Sequence, residues 1–439
     1  MTSALQLFVL FLYLGMFHYN FKMKAPFIWD YNSDQPYQLK DRSFKKAMRK
    51  KEFVSLLSTI FSSLLILPIA ILLQSFIPKR TIATDDFFGM SVNLDKEPEA
   101  TKKLVDELEL TTLLIRFPLW EMTRLDEYIE FVKVYKDKKI VLNVMQDREH
   151  VEDHTLLKRD LEKLFSAFGP YIDSFQIGST INRAKWGFFS VQEYLRFYTV
   201  AYELKKENFS NVKLLGPSVI DFEYHFSVHA LFNFFKIKYD AISALLYVDR
   251  RGAPENTQMG YDLIKKIDLL DTLAFLSPKA QRKLYITETN WPISNTAPFA
   301  PTSEYECIDE ESYANFMVRY YLLAFASQKA ERVYWHQLIA PGYGLIDNRE
   351  GLHKRSAFAA FKTMHALLKN MTLLSFEQKN ATYTLVAKNN TRTTTVKWSL
   401  GLQTITYNTP QNYVDRDGES HLEQRVDIGP SPIYIIEES

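Results

Sequence analysis

The sequence predicts a (β/α)8 barrel that is preceded by a two-helix membrane hairpin and followed by a small antiparallel β domain. Three observations lead to this prediction. Short apolar β-type runs alternate with helical segments between residues 81 and 370, two uncharged apolar runs lie within residues 1–80, and period-two stretches fill residues 371–439. Alternating strands and helices are typical of a parallel sheet, and period two is typical of strands with one buried face. We therefore divide the chain at these boundaries.

The membrane prediction comes from the two apolar runs. Residues 54–77 form a run of 24 residues without a charged side chain, which is long enough to cross about 30 Å of hydrocarbon as a helix. A buried helix is the alternative for this run. The first run, about 4–21, is shorter, and a signal peptide is the alternative for it. No charged segment precedes this run and no small-residue cleavage site follows it, so we expect a first membrane span. Membrane lipid is therefore a predicted partner.

The segment between the two runs is basic. Residues 22–51 carry nine Lys and Arg side chains against three Asp. The positive-inside rule assigns such a loop to the cytoplasm. Both ends of the hairpin would then face outward, which predicts a protein of the bacterial inner membrane with its barrel on the periplasmic side.

Eight segments are candidate barrel strands, and the segments between them have helical periodicity. One of these helices is marked by an apolar stripe, Leu157, Leu161, Leu164, Phe165 and Phe168. A doubly wound open sheet is the alternative fold, but no G-x-G-x-x-G motif follows the first strand. Eight units favour the barrel. The candidate strands are residues 87–94, 111–117, 138–146, 173–178, 212–219, 240–248, 283–289 and 331–339.

Composition excludes several classes of function. There are 53 Lys and Arg against 52 Asp and Glu, so the chain lacks the basic excess of a nucleic-acid-binding protein. The single cysteine, Cys307, excludes an internal disulfide and a cysteine-cluster zinc site. The histidines lack the i, i+4 pairing of a helical zinc site. We therefore expect no metal, no cofactor and no nucleic acid.

Reacting groups of a (β/α)8 barrel lie at the C-terminal ends of its strands. At those positions this sequence combines carboxylates, amides and aromatic rings. Such a mixture suits a sugar, whose hydroxyls need hydrogen-bond partners and whose C–H faces pack on aromatic rings. The side chains are Arg116, Trp120, Glu121, Asn143, Asp147, Glu149, Asp221, Glu223, Tyr247, Glu288, Trp335 and His336.

Four short motifs at these strand ends resemble those of the retaining glycoside hydrolases of clan A. They are IRFPLWE around Arg116, LLYVDRRGAPE around Tyr247, ITETNWP around Glu288 and YWHQLI around Trp335. The resemblance covers about residues 87–370 and lies in the order and strand positions of the motifs. It implies that Glu288 is the nucleophile, that Arg116 supports it, that Tyr247 lies beside it and that Trp335 floors the sugar subsite.

The sequence departs from that family on strand four. The family reads Gly-Asn-Glu-Pro-Asn there, whereas residues 178–182 read Gly-Ser-Thr-Ile-Asn, which puts Thr180 at the acid/base position. A hydroxyl cannot replace a carboxylic acid as proton donor, and general acid catalysis contributes about 10²- to 10⁴-fold. The carboxyls that could substitute for it are Glu223, Asp147, Glu149 and Glu121.

A cluster after strand four points to the kind of sugar. Asn182, Arg183, Lys185 and Trp186 place two cations beside an aromatic ring, a combination that suits an anionic sugar such as a uronic or keto-deoxy acid. A surface loop with a packed Trp is the alternative. We count Asn182, Arg183 and Trp186, with Asn143 and His336, among the substrate-binding candidates.

Two functions remain open at this point. The first is a membrane-anchored glycosidase or transglycosylase that acts on an envelope or extracellular polysaccharide, with Glu288 as nucleophile and a non-standard acid. The second is a catalytically inactive barrel that binds a glycan and serves polysaccharide assembly or export, as part of an envelope polysaccharide machinery. A purely structural membrane protein is a third and weaker alternative.

Overall fold

The structure is a computed structural model that describes residues 28–172, 174–249 and 252–438. The predicted first span, about 4–21, and the Arg250–Arg251 pair of the LLYVDRRGAPE motif lie outside these residues. The strands are β1 Trp29–Asp30, β2 Gln35–Pro36, β3 Phe88–Val92, β4 Thr112–Pro118, β5 Lys139–Met145, β6 Ser174–Ile177, β7 Lys213–Ile220, β8 Ala241–Leu245, β9 Leu284–Thr289, β10 Arg332–Trp335, β11 Ile346–Asp347, β12 His353–Lys354, β13 Thr372–Lys379, β14 Thr382–Lys388, β15 Arg392–Ser399, β16 Gln403–Val414, β17 Ser420–Ile428 and β18 Ile433–Glu438.

Eleven helices are found in the same residues, together with short 3-10 turns at Leu119–Arg124, Ala184–Trp186 and Glu304–Glu306. The helices are α1 Arg42–Lys51, α2 Phe53–Leu73, α3 Pro98–Glu107, α4 Leu125–Lys133, α5 Arg148–Glu152, α6 His154–Phe168, α7 Val191–Glu207, α8 Tyr224–Leu231, α9 Leu263–Leu276, α10 Glu310–Ser327 and α11 Ser356–Leu368.

Strands β3 to β10 close into a parallel barrel in which β10 pairs with β3. Each predicted strand corresponds to one of these eight, so the barrel prediction is confirmed and the open sheet is excluded. The strands were recognisable because they are buried on both faces and therefore read as continuous apolar runs. All five residues of the predicted stripe of α6 are buried against the barrel.

The parallel register brings the C-terminal ends of the strands to one mouth. Arg116 of β4 lies opposite Asn143 of β5, and Leu245 at the end of β8 pairs with Glu288 of β9 after a bulge. Side chains far apart in sequence therefore meet above the barrel.

The C-terminal residues form a six-stranded antiparallel sheet in the order β13-β14-β15-β18-β16-β17, as the period-two pattern predicts. The sheet packs on the barrel through polar contacts. Trp398 is fully buried, and its Nε1 donates a hydrogen bond to Glu255 Oε1 at 2.9 Å. Arg416 Nη1 contacts Glu311 and Asn315 of α10 at 2.7 and 2.8 Å.

Helix α2 covers most of the predicted second span, and in the described residues no other helix is long and apolar enough to cross a membrane. It packs on the outer helices α7, α8 and α9. Its barrel-facing side is small or polar, with Ser55, Thr59, Ser63 and Ala70 buried. Its large apolar side chains are exposed, among them Val54, Leu56, Leu57, Ile60, Phe61, Leu64, Leu65, Ile69 and Leu72.

The residues before α2 also pack on the barrel. Gln35 Oε1 accepts a hydrogen bond from Lys185 Nζ at 2.6 Å, and Glu52 Oε2 accepts one from Ser190 Oγ at 2.6 Å. Groups in such contact cannot lie on opposite sides of a bilayer. These contacts therefore do not support a cytoplasmic loop with a periplasmic barrel, and α2 is the one candidate span among the described residues; the location of the barrel stays a prediction.

Candidate functional site

Three strands bring an ion pair and a phenol together at the mouth. Glu288, near the end of β9, accepts a hydrogen bond from Arg116 Nη2 at 2.5 Å and another from the Tyr247 hydroxyl at 2.8 Å. The two donors bind different oxygens of the carboxylate, which fixes its orientation. The three residues that the resemblance placed together are thus in contact.

The charges of this cluster are set by burial and by the ion pair. Burial alone would lower the pKa of Arg116, but the neighbouring Glu288 carboxylate outweighs it and raises the pKa above its ordinary value. Burial, assisted by the charge of Arg116, holds the pKa of His336 well below its ordinary value. His336 is therefore a neutral imidazole beside a permanent cation.

A cavity of about 520 Å³ lies over Glu288, and its walls are mainly polar. They come from several strand ends and also from the segment that precedes α2. The wall-forming side chains include Ser33, Asp34, Gln35, Lys45, Arg49, Arg116, Thr180, Arg183, Lys185, Trp186, Asp221, Tyr247, Asp249, Glu306, His336 and Tyr343.

Several buried polar atoms around the mouth have no hydrogen-bond partner within the described residues. They are Arg116 Nε, Asn143 Oδ1, His336 Nδ1 and Gln337 Oε1. A buried polar atom without a partner costs about 1–3 kcal/mol. Of these residues, Arg116 and His336 line the cavity over Glu288, so their two unused nitrogen atoms fit a site that hydrogen-bonds a polar ligand.

Thr180 lies at the cavity but offers only a hydroxyl. It follows β6 with φ +52°, a left-handed conformation that turns the chain at the mouth. Its hydroxyl is buried and lies 3.4 Å from that of Ser179. Among the carboxyls that line the cavity, none comes from the β6 loop.

Two of the proposed substitute acids are engaged elsewhere. Glu223 Oε2 accepts hydrogen bonds from Arg183 and Asn182 at 2.6 and 2.7 Å, and Glu121 Oε2 accepts one from Arg124 at 3.0 Å. Neither carboxyl lines the cavity over Glu288. The structure therefore does not bring them to the reacting position.

The other two candidate acids, Asp147 and Glu149, also lie outside the cavity over Glu288. Asp147 begins α5, where its carboxylate accepts from the backbone and the ring of His150, both at 2.8 Å. Glu149 is exposed on the same helix. Neither lines the cavity, so the described structure brings none of the four candidate acids to the wall over Glu288.

The predicted cluster of Asn182, Arg183, Lys185 and Trp186 follows β6, and its members have different roles in the structure. Lys185 and Trp186 line the cavity, and burial lowers the pKa of Lys185 to about 8. Arg183 also lines it, but it forms ion pairs with Asp221 and Glu223, both at 2.6 Å.

Asn182 has a structural role instead. Its amide exchanges two 3.0 Å hydrogen bonds with the backbone of Ile220 at the end of β7. It does not line the cavity, and neither does Asn143, which is buried within β5.

Trp335 does not floor the site. It is fully buried outside the cavity, where its Nε1 donates to the Tyr313 hydroxyl at 2.6 Å and its ring stacks on Trp291. Successive side chains of a strand point to opposite sides, so the next residue, His336, faces the mouth. His336 stacks on Tyr343 with ring centroids 5.4 Å apart, and this pair forms the aromatic wall.

Sequence reasoning missed Asp34, Gln35 and Tyr343. Asp34 is buried, and its carboxylate accepts hydrogen bonds from the Tyr343 hydroxyl at 3.0 Å and from Gln337 Nε2 at 3.4 Å. Burial raises the pKa of Asp34, although Lys96 and Arg116 oppose the shift. The available signal for Tyr343 was its position in a Pro-Gly-Tyr-Gly turn soon after β10.

Neither the protein-family models nor the curated proteins contain a match for this chain. Solved structures with a similar barrel include glycoside hydrolases of clan A. A family 39 enzyme from Bacteroides cellulosilyticus has a TM-score of 0.61 at 13% identity and covers 81% of each chain.

Two further structures are similar over 82% of this chain. A family 30 endoxylanase from Clostridium papyrosolvens has a TM-score of 0.55 at 11% identity and is covered over 97% of its length. A family 51 arabinofuranosidase from Xanthomonas axonopodis pv. citri has a TM-score of 0.51 at 10% identity and is covered over 98%. At these identities the similarity establishes the fold: an eight-stranded parallel barrel with structural kinship to clan A glycoside hydrolases.

Proposed function

We propose that the barrel binds a saccharide in the cavity over Glu288 and that Glu288 is the nucleophile in cleavage or transfer of a glycosidic bond. One observation carries the proposal: a single carboxylate, held by Arg116 and Tyr247, lies beneath a polar cavity. The endoxylanase and the arabinofuranosidase named above share the fold, which makes a polysaccharide substrate plausible.

Glu288 would attack the anomeric carbon and form a covalent glycosyl intermediate, as in retaining glycosidases. Arg116 forms an ion pair with one oxygen of the carboxylate, and the Tyr247 hydroxyl donates to the other. Thr180 cannot protonate the departing oxygen. Substrates whose leaving group departs without a proton are therefore favoured, and ordinary glycosides should react about 10²- to 10⁴-fold more slowly than with a carboxylic acid present.

We also propose that the saccharide carries an anionic group. Lys45, Arg49 and Lys185 line the same cavity as the ring of Trp186. Ammonium and guanidinium groups beside an aromatic ring can bind a carboxylate while the ring packs on the sugar. A uronic acid unit has both features.

The test is covalent trapping with a panel of 2-deoxy-2-fluoroglycosyl fluorides, followed by intact mass spectrometry of the full chain. We expect a glycosyl adduct on the unaltered protein and none on Glu288→Gln. Glu306→Gln is the matched control, because Glu306 is another glutamate of the cavity wall. Absence of an adduct across the panel would contradict the nucleophile assignment.

The hydroxyl of Thr180, at the position where the family resemblance expects a carboxylic acid, supports a second proposal. In this proposal the barrel binds a glycan without turnover and serves polysaccharide assembly or export. This function predicts that saccharide binding survives Glu288→Gln, and that unaltered protein hydrolyses none of the activated substrates. Turnover by the unaltered protein would exclude it.

We further propose that α2 attaches the protein to a membrane by lying along its surface. Glu52, just before α2, contacts Ser190, and Gln74, just after it, donates to the Tyr261 hydroxyl at 3.3 Å. Since both ends of the helix touch the barrel, α2 could cross a bilayer only if the barrel entered it too. An in-plane helix would instead bury its exposed apolar side chains in the lipid, and the cations of α1 would face anionic headgroups.

A further inference from the structure

A short hairpin, residues 29–36, lies in the mouth of the barrel. Strands β1 and β2 pair antiparallel, and the turn between them is stabilised by Asp30, whose carboxylate accepts from the backbone of Asn32 at 3.0 Å and from Ser33 Oγ at 2.8 Å. The tip residues Ser33 and Asp34 are buried. The hairpin therefore has its own turn structure and inserts that turn into the mouth.

The hairpin contacts loops on several sides of the mouth. The backbone oxygen of Asp34 accepts from Arg116 Nη1 at 3.3 Å. Gln35 accepts from Lys185 Nζ at 2.6 Å and donates to the backbone oxygen of Pro301 at 2.7 Å. These bonds connect the hairpin to the ends of β4, β6 and β9.

Its first residue adds an aromatic contact. The ring of Trp29 lies 5.3 Å from that of Trp120, just after β4, and 5.6 Å from that of Trp186, just after β6. Three indoles packed in this way bury apolar area and hold the base of the hairpin across the mouth.

The hairpin divides the mouth into two cavities. One is the cavity of about 520 Å³ over Glu288, and the other, of about 380 Å³, lies on the side of β3 to β5. Asp34 and Arg116 line both cavities. The second cavity is also lined by Trp29, Asn93, Asp95, Lys96, Glu121 and Tyr128.

We propose that this hairpin is a fixed wall that makes the Glu288 site a pocket for the end of a saccharide chain. An internal segment of a polysaccharide would have to pass through the space that Asp34 and Gln35 occupy. A chain end needs only the cavity on the Glu288 side, where Asp34 can hydrogen-bond the terminal unit. The proposal rests on the proposed saccharide binding and adds the part of the saccharide that is recognised.

The experiment measures affinity against chain length for the full chain in detergent. The probes are xylo-oligosaccharides and oligogalacturonides of one to six units, because the first series is neutral and the second anionic. In the unaltered protein we expect affinity to level off after the first few units. In the Asp34→Ala/Gln35→Ala variant, whose wall contacts are lost, affinity should continue to rise to the hexamer. Asn32→Ala, at an exposed position of the same turn, is the control and should match the unaltered protein.

Hydrogen exchange supplies a readout that needs no sugar. A fixed wall predicts slow exchange of the backbone amides of residues 33–35 in the unaltered protein and faster exchange in the double variant. Fast exchange in the unaltered protein would contradict the proposal that the hairpin is a fixed wall. So would an affinity of the unaltered protein that rises steadily to the hexamer. If no member of either series binds any variant, the proposed saccharide function fails for these sugars and this inference fails with it.

Discussion

The two halves of the barrel mouth differ in the chemistry that they offer. On the side of β4, β8 and β9, Glu288 is held by a guanidinium and a phenol. On the side of β6, the position that the family resemblance assigns to a carboxylic acid holds Thr180, and Lys185 lies nearby. In the proposed function, one half of the mouth supplies the carboxylate for covalent attack, whereas the described β6 loop supplies only a hydroxyl where a carboxylic acid would protonate the leaving group.

The largest effect should come from restoring the missing acid. Thr180→Glu should accelerate cleavage of a glycoside with a poor leaving group by about 10²- to 10⁴-fold and leave the rate with a fluoride leaving group almost unchanged. Thr180→Gln, which has the same size but no acidic proton, is the control. Equal acceleration by both variants would show that the two halves do not differ in proton donation.

The next effect concerns the cationic side of the mouth. Because burial lowers the pKa of Lys185 to about 8, its ammonium group is present below that pH and is lost above it. Affinity for an oligogalacturonide should therefore fall above pH 8 by at most about tenfold per pH unit, since one proton is linked to binding. Lys185→Met should remove this pH dependence.

A neutral xylo-oligosaccharide is the control ligand for this measurement, and its affinity should stay flat over the same pH range. A slope that persists in Lys185→Met would assign the pH dependence to another group.

A smaller effect is expected on membrane binding. Phe61 and Leu65 are exposed on α2 by 67% and 53%, so Phe61→Asp/Leu65→Asp should reduce flotation with phosphatidylcholine–phosphatidylglycerol vesicles several-fold without lowering thermal stability. Val134→Asp, which changes a side chain of 47% exposure after α4, should float like the unaltered protein. Equal flotation of all three proteins would exclude α2 as the attachment.

We expect the basic segment and the barrel to lie on the same side of the membrane. Cys307 is the only cysteine of the sequence and is partly exposed, so its labelling reports the side of the membrane on which the barrel lies. Lys46→Cys in a Cys307→Ala background reports α1, where Lys46 is exposed. In intact cells, a membrane-impermeant maleimide should label both cysteine positions or neither of them. Labelling of only one position would show that the basic segment and the barrel lie on opposite sides of the membrane.

The barrel was predictable because its strands are buried on both faces, so that each reads as an apolar run between polar turns. The error at Trp335 has a simple cause: a shift of one residue along β10 exchanges the buried side chain for the one that faces the mouth. Such a shift cannot be detected when both neighbours, Trp335 and His336, suit a sugar site.

The packing of α2 was not predicted, although a signal was present. Ser55, Thr59 and Ser63 recur every four residues and form a polar stripe on an otherwise apolar helix, which indicates contact with protein on that side. The hairpin left no comparable signal. Its contacts join Asp34 and Gln35 to residues far away along the chain, such as Tyr343 and Pro301, and no local pattern encodes such pairs.

The most direct test of the account is the position of the label after trapping with a 2-deoxy-2-fluoroglycosyl fluoride, determined by peptide mapping. We expect one glycosyl group, attached as an ester to the Glu288 carboxylate and found on the peptide that contains this residue. A label on another carboxyl of the mouth, such as Asp34 or Glu306, or no label with any sugar of the panel, would contradict it.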